Sequence, residues 1–231
     1  MQLTVREAAR LLAVPEEAVY RWIGQKEIPV CRVGDDYRFN RSDLLEWAMA
    51  KRIPVSPELF EAESGQRELP RLADAIRAGG IVYGVEGADK SAVLRAVSHA
   101  IKLPDDVDPE FLYQVLMARE KLGSTGIGDG IAIPHVRNPI VLSVEEPRIL
   151  LSFLARPVDF GAIDGRPVTT MFTMVSPTIR VHLHLLSHLG FVLRNEGVRA
   201  VLDARAPADE ILAAIERAGQ KPNGGKGKAA A

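Results

Sequence analysis

The succession of apolar periodicities predicts two units: a small helical module with a β-hairpin over residues 1–53, and an α/β sandwich over residues 68–219. Three observations carry this. Residues 1–53 read as helix, turn, helix, strand pair, helix. Beyond residue 68, short buried runs such as Ile149-Leu-Leu-Ser-Phe-Leu154 alternate with amphipathic helical stretches, which argues for helices on both faces of one sheet. Between them, residues 54–67 lose any period and carry Pro54, Ser56, Pro57, Ser64 and Gly65, the composition of a linker with one helical turn at most.

Length and composition agree. A chain of 231 residues with 47% hydrophobic content can bury a full core and still carry a second small domain. Its 29 Lys plus Arg against 30 Asp plus Glu create no global field toward nucleic acid or anionic lipid, so any DNA contact must be local. The single cysteine, Cys31, allows no internal disulfide. No apolar run approaches the roughly 20 residues of a membrane span, and the start lacks a signal-peptide pattern, so a soluble, cytoplasmic protein without membrane contact is expected.

In the first unit, Thr4 is placed to cap a helix with Glu7 as its capping-box partner, and Val5, Ala8, Ala9, Leu11 and Leu12 form its apolar side. Val14-Pro15 breaks it. A second helix, about 16–25, carries Val19, Trp22 and Ile23 at core spacing. Pro29–Val33 and Tyr37–Phe39 flank Gly34-Asp-Asp36 as a hairpin, and a third helix starting at Ser42 carries Leu44, Leu45 and Trp47. These segments together resemble the excisionase-type winged helix-turn-helix related to the MerR family. That resemblance implies a second helix in the major groove and a wing against the backbone, with Tyr20, Arg21, Lys26, Arg32 and Arg38 as candidate DNA contacts. The charges oppose it: Glu16 and Glu17 open the recognition helix, Asp35-Asp36 sit at the wing tip, and residues 1–53 hold nine Lys/Arg against eight Asp/Glu. DNA binding and a protein-binding or homodimer-forming role both stay open.

In the second unit, helices are expected at about 71–78, 90–102 and 109–120, with a strand at Ile81–Val85. Strands follow at 149–154 and 169–175, then a long helix at about 178–194 and two shorter ones. The tail 220–231, rich in Gly, Lys and Ala, cannot bury enough to order itself. Gly84-Val-Glu-Gly-Ala-Asp-Lys-Ser91 begins like a P-loop, but Asp89 stands where a glycine must be and a carboxylate there repels phosphate; Glu86, Asp89 and Lys90 read as a helix start instead. No nucleotide, metal or other cofactor is expected.

The chemistry centres on Gly123-Ser-Thr-Gly-Ile-Gly-Asp-Gly-Ile-Ala-Ile-Pro-His135. Gly123, Gly126, Gly128 and Gly130 suit a loop whose backbone N–H groups approach an anion, with Ser124 and Thr125 beside them. Ile131-Ala-Ile133 reads as a buried strand, and Pro134 ends its ladder and stiffens the chain before His135. An imidazole, neutral near pH 7, suits reversible phosphoryl transfer where lysine does not. Upstream, Leu112, Leu116 and Arg119 lie at i, i+4 and i+7, so a guanidinium projects from an apolar stripe, where it needs a partner. A cation in a helix's last turn also meets the carbonyl end of the dipole.

Met117-Ala-Arg-Glu-Lys-Leu-Gly-Ser-Thr-Gly-Ile-Gly together with Ile133-Pro-His135 closely resembles the phosphorylation site of fructose/mannitol-type enzyme IIA proteins of the bacterial phosphotransferase system, nearest the nitrogen-regulatory branch. The resemblance runs from about Leu69 to Ala218 and implies a mixed sheet, with His135 as phosphoacceptor, Arg119 on the phosphate and a phosphocarrier protein (of the HPr/NPr kind) as donor. Val136-Arg137 departs from the small and polar residues usual there, a difference at the outer lip. His182, opening His-Leu-x-x-Leu, matches the family's second active-site histidine. From the residues alone, His182 shares a stripe with Leu185, Leu186, Leu189 and Leu193 and faces the sheet, and a satisfied core histidine remains the alternative. His182 and His184, turned by about 200° from one another, cannot share a metal, and His184 and His188 lack an acidic third ligand and read as surface residues.

The expected function is a regulatory phosphorelay protein whose first domain couples phosphorylation to DNA or protein binding. The alternatives are an enzyme IIA component for sugar uptake, and a ligand-sensing transcription regulator without phosphotransfer.

Overall fold

The computed structural model describes residues 2–33, 36–51, 53, 69–105, 107–136 and 144–219. The expected linker 54–67, wing-tip residues Gly34-Asp35, Arg137 and the tail 220–231 lie outside the described residues.

The first domain runs β1 (Gln2–Leu3), α1 (Val5–Leu11), α2 (Glu16–Gly24), β2 (Cys31–Val33), β3 (Asp36–Asn40) and α3 (Arg41–Ala50). Thr4 and Glu7 form the expected capping box, the Thr4 amide donating to the Glu7 carboxylate at 2.8 Å and the Glu7 amide to the Thr4 hydroxyl at 3.3 Å. Pro15 stands at the N-cap of α2, where its missing N–H costs nothing. The hairpin is present, and β1 adds a third strand on β3 in an antiparallel sheet ordered β1-β3-β2. Two residues are too short for a period to reveal, so β1 was not expected.

The second domain follows as α4 (Leu72–Gly79), β4 (Ile81–Val85), α5 (Lys90–Ala100), α6 (Pro109–Glu120), β5 (Gly126–Gly128), β6 (Ile131–Ala132), β7 (Arg148–Val158), β8 (Val168–Val175), α7 (Ile179–Val192), α8 (Glu196–Asp203) and α9 (Ala208–Gly219). Asp89, Asp108, Thr178 and Asn195 each accept an amide at a helix start. One mixed sheet is ordered β4-β7-β8-β6-β5, with β4/β7 and β8/β6 parallel and the other neighbours antiparallel. Alternation along β7 sorts its side chains. Ile149, Leu151 and Phe153 join the core under α4, α7, α8 and α9, whereas Leu150 and Leu154 join the one under α5 and α6. Helices thus cover both faces, as the sequence predicts.

The first domain does not hang free on its tether. Leu44, Leu45 and Ala48 of α3 belong to the same continuous apolar core as α7. A Cβ added at Gly190 of α7 would lie 2.8 Å from Met49 Cγ, so α3 comes within a methyl's width of α7 at that point.

Close approach also fixes α4. A Cβ at Gly79 would stand 2.4 Å from the Ile149 carbonyl carbon, backbone that cannot swing aside. Gly79→Ala should therefore lower unfolding stability by about 1–3 kcal/mol in urea titration, whereas Gly24→Ala, with nothing within 4 Å of the new methyl, should be neutral or slightly stabilising.

Candidate functional site

The β5–β6 hairpin turns on Asp129-Gly130, both at positive φ (52° and 72°), the two-residue turn whose twist matches its strands. Beyond Ala132 the chain stays beside β8. Pro134 removes a donor, yet its carbonyl accepts the Met174 amide at 2.8 Å, and His135 forms a parallel bridge with Met174. Pro134 therefore interrupts the ladder rather than ending it. The consequence is a histidine held by sheet pairing as well as by proline.

His135 Nδ1 lies 2.8 Å from the Ile133 carbonyl. A carbonyl only accepts, so Nδ1 carries the proton and Nε2 keeps its lone pair for chemistry. His182, buried one turn into α7, sets its ring 5.0 Å from that of His135, on the sheet-facing stripe its spacing predicts. Its Nε2 has no hydrogen-bond partner among the described residues. His184 corrects the surface reading: it is buried, with Nε2 3.2 Å from the Pro70 carbonyl, because α7 is covered on more than its sheet side. No cluster of metal-ligating residues occurs among the described residues.

Arg119, at the end of α6, donates to the Gly123 carbonyl at 2.9 Å and to Glu46 Oε2 of α3 in a very short contact. The other carboxylate oxygen, Glu46 Oε1, stands 2.9 Å from His135 Nε2. In this structure the anion beside Arg119 is a side chain of the first domain. Glu46 also seals the ring, leaving His135 only 1% exposed while the guanidinium stays beside it.

In the glycine loop, the Gly123 amide donates to the Glu120 carbonyl (3.3 Å), the Thr125 amide to the Glu120 carboxylate (3.0 Å), and the Gly126 amide to the Ser124 hydroxyl (3.0 Å). These three donors brace the loop. Lys90 locks the assembly, donating to Glu120 at 2.9 Å and to the Phe160 carbonyl at 2.6 Å, and Ser124 shares that carbonyl. Gly123, Ser124, Thr125 and Gly126 do line a cavity of about 560 Å³ with His135, Arg119 and Glu46. Gly128 belongs to a different cleft, between α3 and α7.

Two influences act on the His135 ring in opposite senses. Burial and the Arg119 guanidinium lower its pKa to about 4, which favours the neutral nucleophile. The Glu46 contact instead demands a proton, because Nε2 and a carboxylate oxygen are both acceptors at 2.9 Å. The contact therefore requires a proton between Nε2 and Glu46 Oε1, while burial and Arg119 oppose charging the ring.

Of the candidate DNA contacts, Tyr20, Arg21 and Arg32 are exposed, and Tyr20 packs edge-on against Tyr37 of β3. Arg38 is occupied by Asp36 at 2.9 Å, and Lys26 lines the cavity over His135. Glu46 and Glu120 escaped sequence reasoning. The available signal was α3 itself, where Leu44, Leu45, Trp47, Ala48 and Met49 surround the helix with apolar side chains, as only a helix covered on two sides tolerates.

Burial holds the His182 pKa well below the usual 6.5, with the His135 and Arg119 charges adding to the effect. The unfolded chain accepts a proton near pH 6.5 that the folded chain refuses, so stability is lost as pH falls from 7 to 5. His182→Asn should flatten that dependence by up to about one proton, read from urea midpoints at pH 5, 6 and 7.

Comparison with known proteins agrees with this architecture. The family described as phosphoenolpyruvate-dependent sugar phosphotransferase system, EIIA 2, matches residues 75–218, and a helix-turn-helix domain family matches residues 3–52. A nitrogen regulatory protein of Pseudomonas aeruginosa is 37% identical over 146 residues, covering 62% of this chain and 92% of its own. The nitrogen regulatory protein of Escherichia coli is 35% identical over 127 residues, covering 53% of this chain and 75% of its own. The crystal structure of nitrogen regulatory protein IIA-Ntr from Neisseria meningitidis superposes with a TM-score of 0.56 at 29% identity, over 62% of this chain and 98% of that one. With the matched segment spanning the whole mixed sheet and the His135 loop, the chain belongs to the EIIA 2 family of the phosphotransferase system, joined here to a helix-turn-helix domain.

Proposed function

We propose that the chain is a regulatory phosphorelay protein whose His135 Nε2 accepts a phosphoryl group from a phosphocarrier protein, and whose first domain (1–53), joined through 54–67 to the acceptor domain (68–219), reports that state. The observation that supports this reading is the ring's orientation: Nδ1–H is committed to the Ile133 carbonyl, so Nε2 is the nitrogen turned to the cavity that Arg119 enters, and its lone pair is available once Glu46 leaves. In the transfer, that lone pair forms the N–P bond while the electron pair of the donor's P–N bond returns to the donor nitrogen. No proton need cross; Nδ1–H stays on the Ile133 carbonyl, which stabilises the positive charge the ring acquires. Negative charge spread over three equatorial oxygens in transit is met by Arg119, already oriented by the Gly123 carbonyl. His182 sets its ring 5.0 Å from that of His135, within reach of the same pocket.

Regulation is favoured over sugar uptake by the helix-turn-helix domain and by relatives named nitrogen regulatory proteins. No helix among the described residues is long and apolar enough to cross a membrane, in keeping with a cytoplasmic relay. The exposed Tyr20, Arg21 and Arg32 support DNA as a partner of the first domain, although Arg38 is already paired with Asp36.

Incubation with phosphoenolpyruvate and the general phosphotransferase proteins should yield an acid-labile phosphohistidine. His135→Ala should abolish it with the fold unchanged by circular dichroism, and label persisting elsewhere on the variant rejects the assignment. Arg119→Lys, which loses the planar fork, should slow transfer by about tenfold or more; an unchanged rate removes Arg119 from the mechanism.

A further inference from the structure

We propose that Glu46 is a built-in occupant of the phosphoryl site: α3 docks the first domain by holding a carboxylate where the phosphoryl group of His135 would go, so docking and phosphorylation exclude one another. The inference deepens the relay reading and rests on it for its link to phosphate, although docking itself does not.

The carboxylate engages the two groups that a phosphoryl group would need. Oε1 is 2.9 Å from His135 Nε2, the nitrogen left free by the Ile133 hydrogen bond, and Oε2 takes the Arg119 guanidinium. A phosphorus bonded to Nε2 would carry its oxygens into the space that Oε1 fills. The phosphoryl group also brings nearly two negative charges against the Glu46 carboxylate, while Arg119 can exchange one anion for the other with little loss. Repulsion and overlap therefore act together to expel α3.

Exclusion works in reverse as well. His135 is 1% exposed, so no donor protein reaches Nε2 until α3 lifts, and the rate of uptake scales with the open fraction. Reversing the Glu46 charge strands Arg119 against a like charge, and a change of about tenfold or more in that fraction follows. Away from the charges, Met49 against Gly190 and Leu45 in the neighbouring apolar cleft fix where α3 lands. Opening exposes the α3 face and frees Lys26 and Trp47 from the cavity wall, so it changes what the first domain can present.

Two variants of the full chain test this by different routes. Glu46→Lys sets a cation against Arg119, and Gly190→Lys drives a charged side chain into the α3–α7 seam without touching the site. Each should raise the reactivity of His135 toward diethyl pyrocarbonate, mapped by mass spectrometry, by about tenfold or more, and red-shift tryptophan emission, since Trp47 lines the cavity. Phosphoryl uptake from phosphoenolpyruvate through the phosphocarrier should quicken by a similar factor, and phosphorylation of the unaltered chain should reproduce the emission shift. Unchanged His135 reactivity and emission in both variants would falsify docking. Variants that open yet take up label no faster than the unaltered chain overturn the exclusion. If the variants open and none of the three chains is labelled, the acceptor reading fails, and the exclusion with it, while docking survives.

Discussion

A single carboxylate shared between a guanidinium and an imidazole sets the relation of the two halves of this chain. Glu46 is 17% exposed, Arg119 8% and His135 1%, so the contact is largely withdrawn from water. Buried ion pairs of this kind are weak sources of net stability, because desolvation consumes most of the Coulomb attraction, yet removing one partner strands a charge. The apolar seam of Leu45 and Met49 on α7 can supply the adhesion. What the carboxylate adds is register, and a requirement that some anion always sit beside Arg119.

That requirement explains the bracing beneath the site. Glu120 takes the Thr125 amide and hydroxyl on one oxygen and Lys90 on the other, and Ser124 with Lys90 fastens the loop to the Phe160 carbonyl. With these donors engaged, the loop forms a braced floor beneath Arg119, whose guanidinium is held by the Gly123 carbonyl.

Most of the fold was legible because its signals are local or periodic. The capping box at Thr4, the helices at 90–100 and 109–120 and the unbroken buried run along 149–154 all follow from residues within a turn or a strand of one another. His135, Arg119 and His182 were legible from a specific motif and from helical spacing. The failures are long-range. The partner of Arg119 lies 73 residues away in another domain, and no period in either segment encodes that pairing. That Asp129-Gly130 serves a hairpin turn and that Glu120 takes the Thr125 amide are pairings that a count of glycines along the chain does not reveal. His184 was misplaced for the same reason: its burial comes from contacts outside its own helix.

The charges of the first domain point the same way. Asp36 pairs with Arg38 on the wing and Glu27 with Lys51 at 3.3 Å, so two of the cations of an already nearly balanced domain are answered within it. A module so balanced draws little from counterion release, and one of its carboxylates, Glu46, is committed to the second domain. Helix α3 follows directly from β3 in the hairpin and sits at the seam, so a shift of α3 displaces the wing with it. Among the described residues, α3 is thus the element that carries the Glu46 contact with His135 and Arg119, and it continues straight from the strand that bears Tyr37 and Arg38.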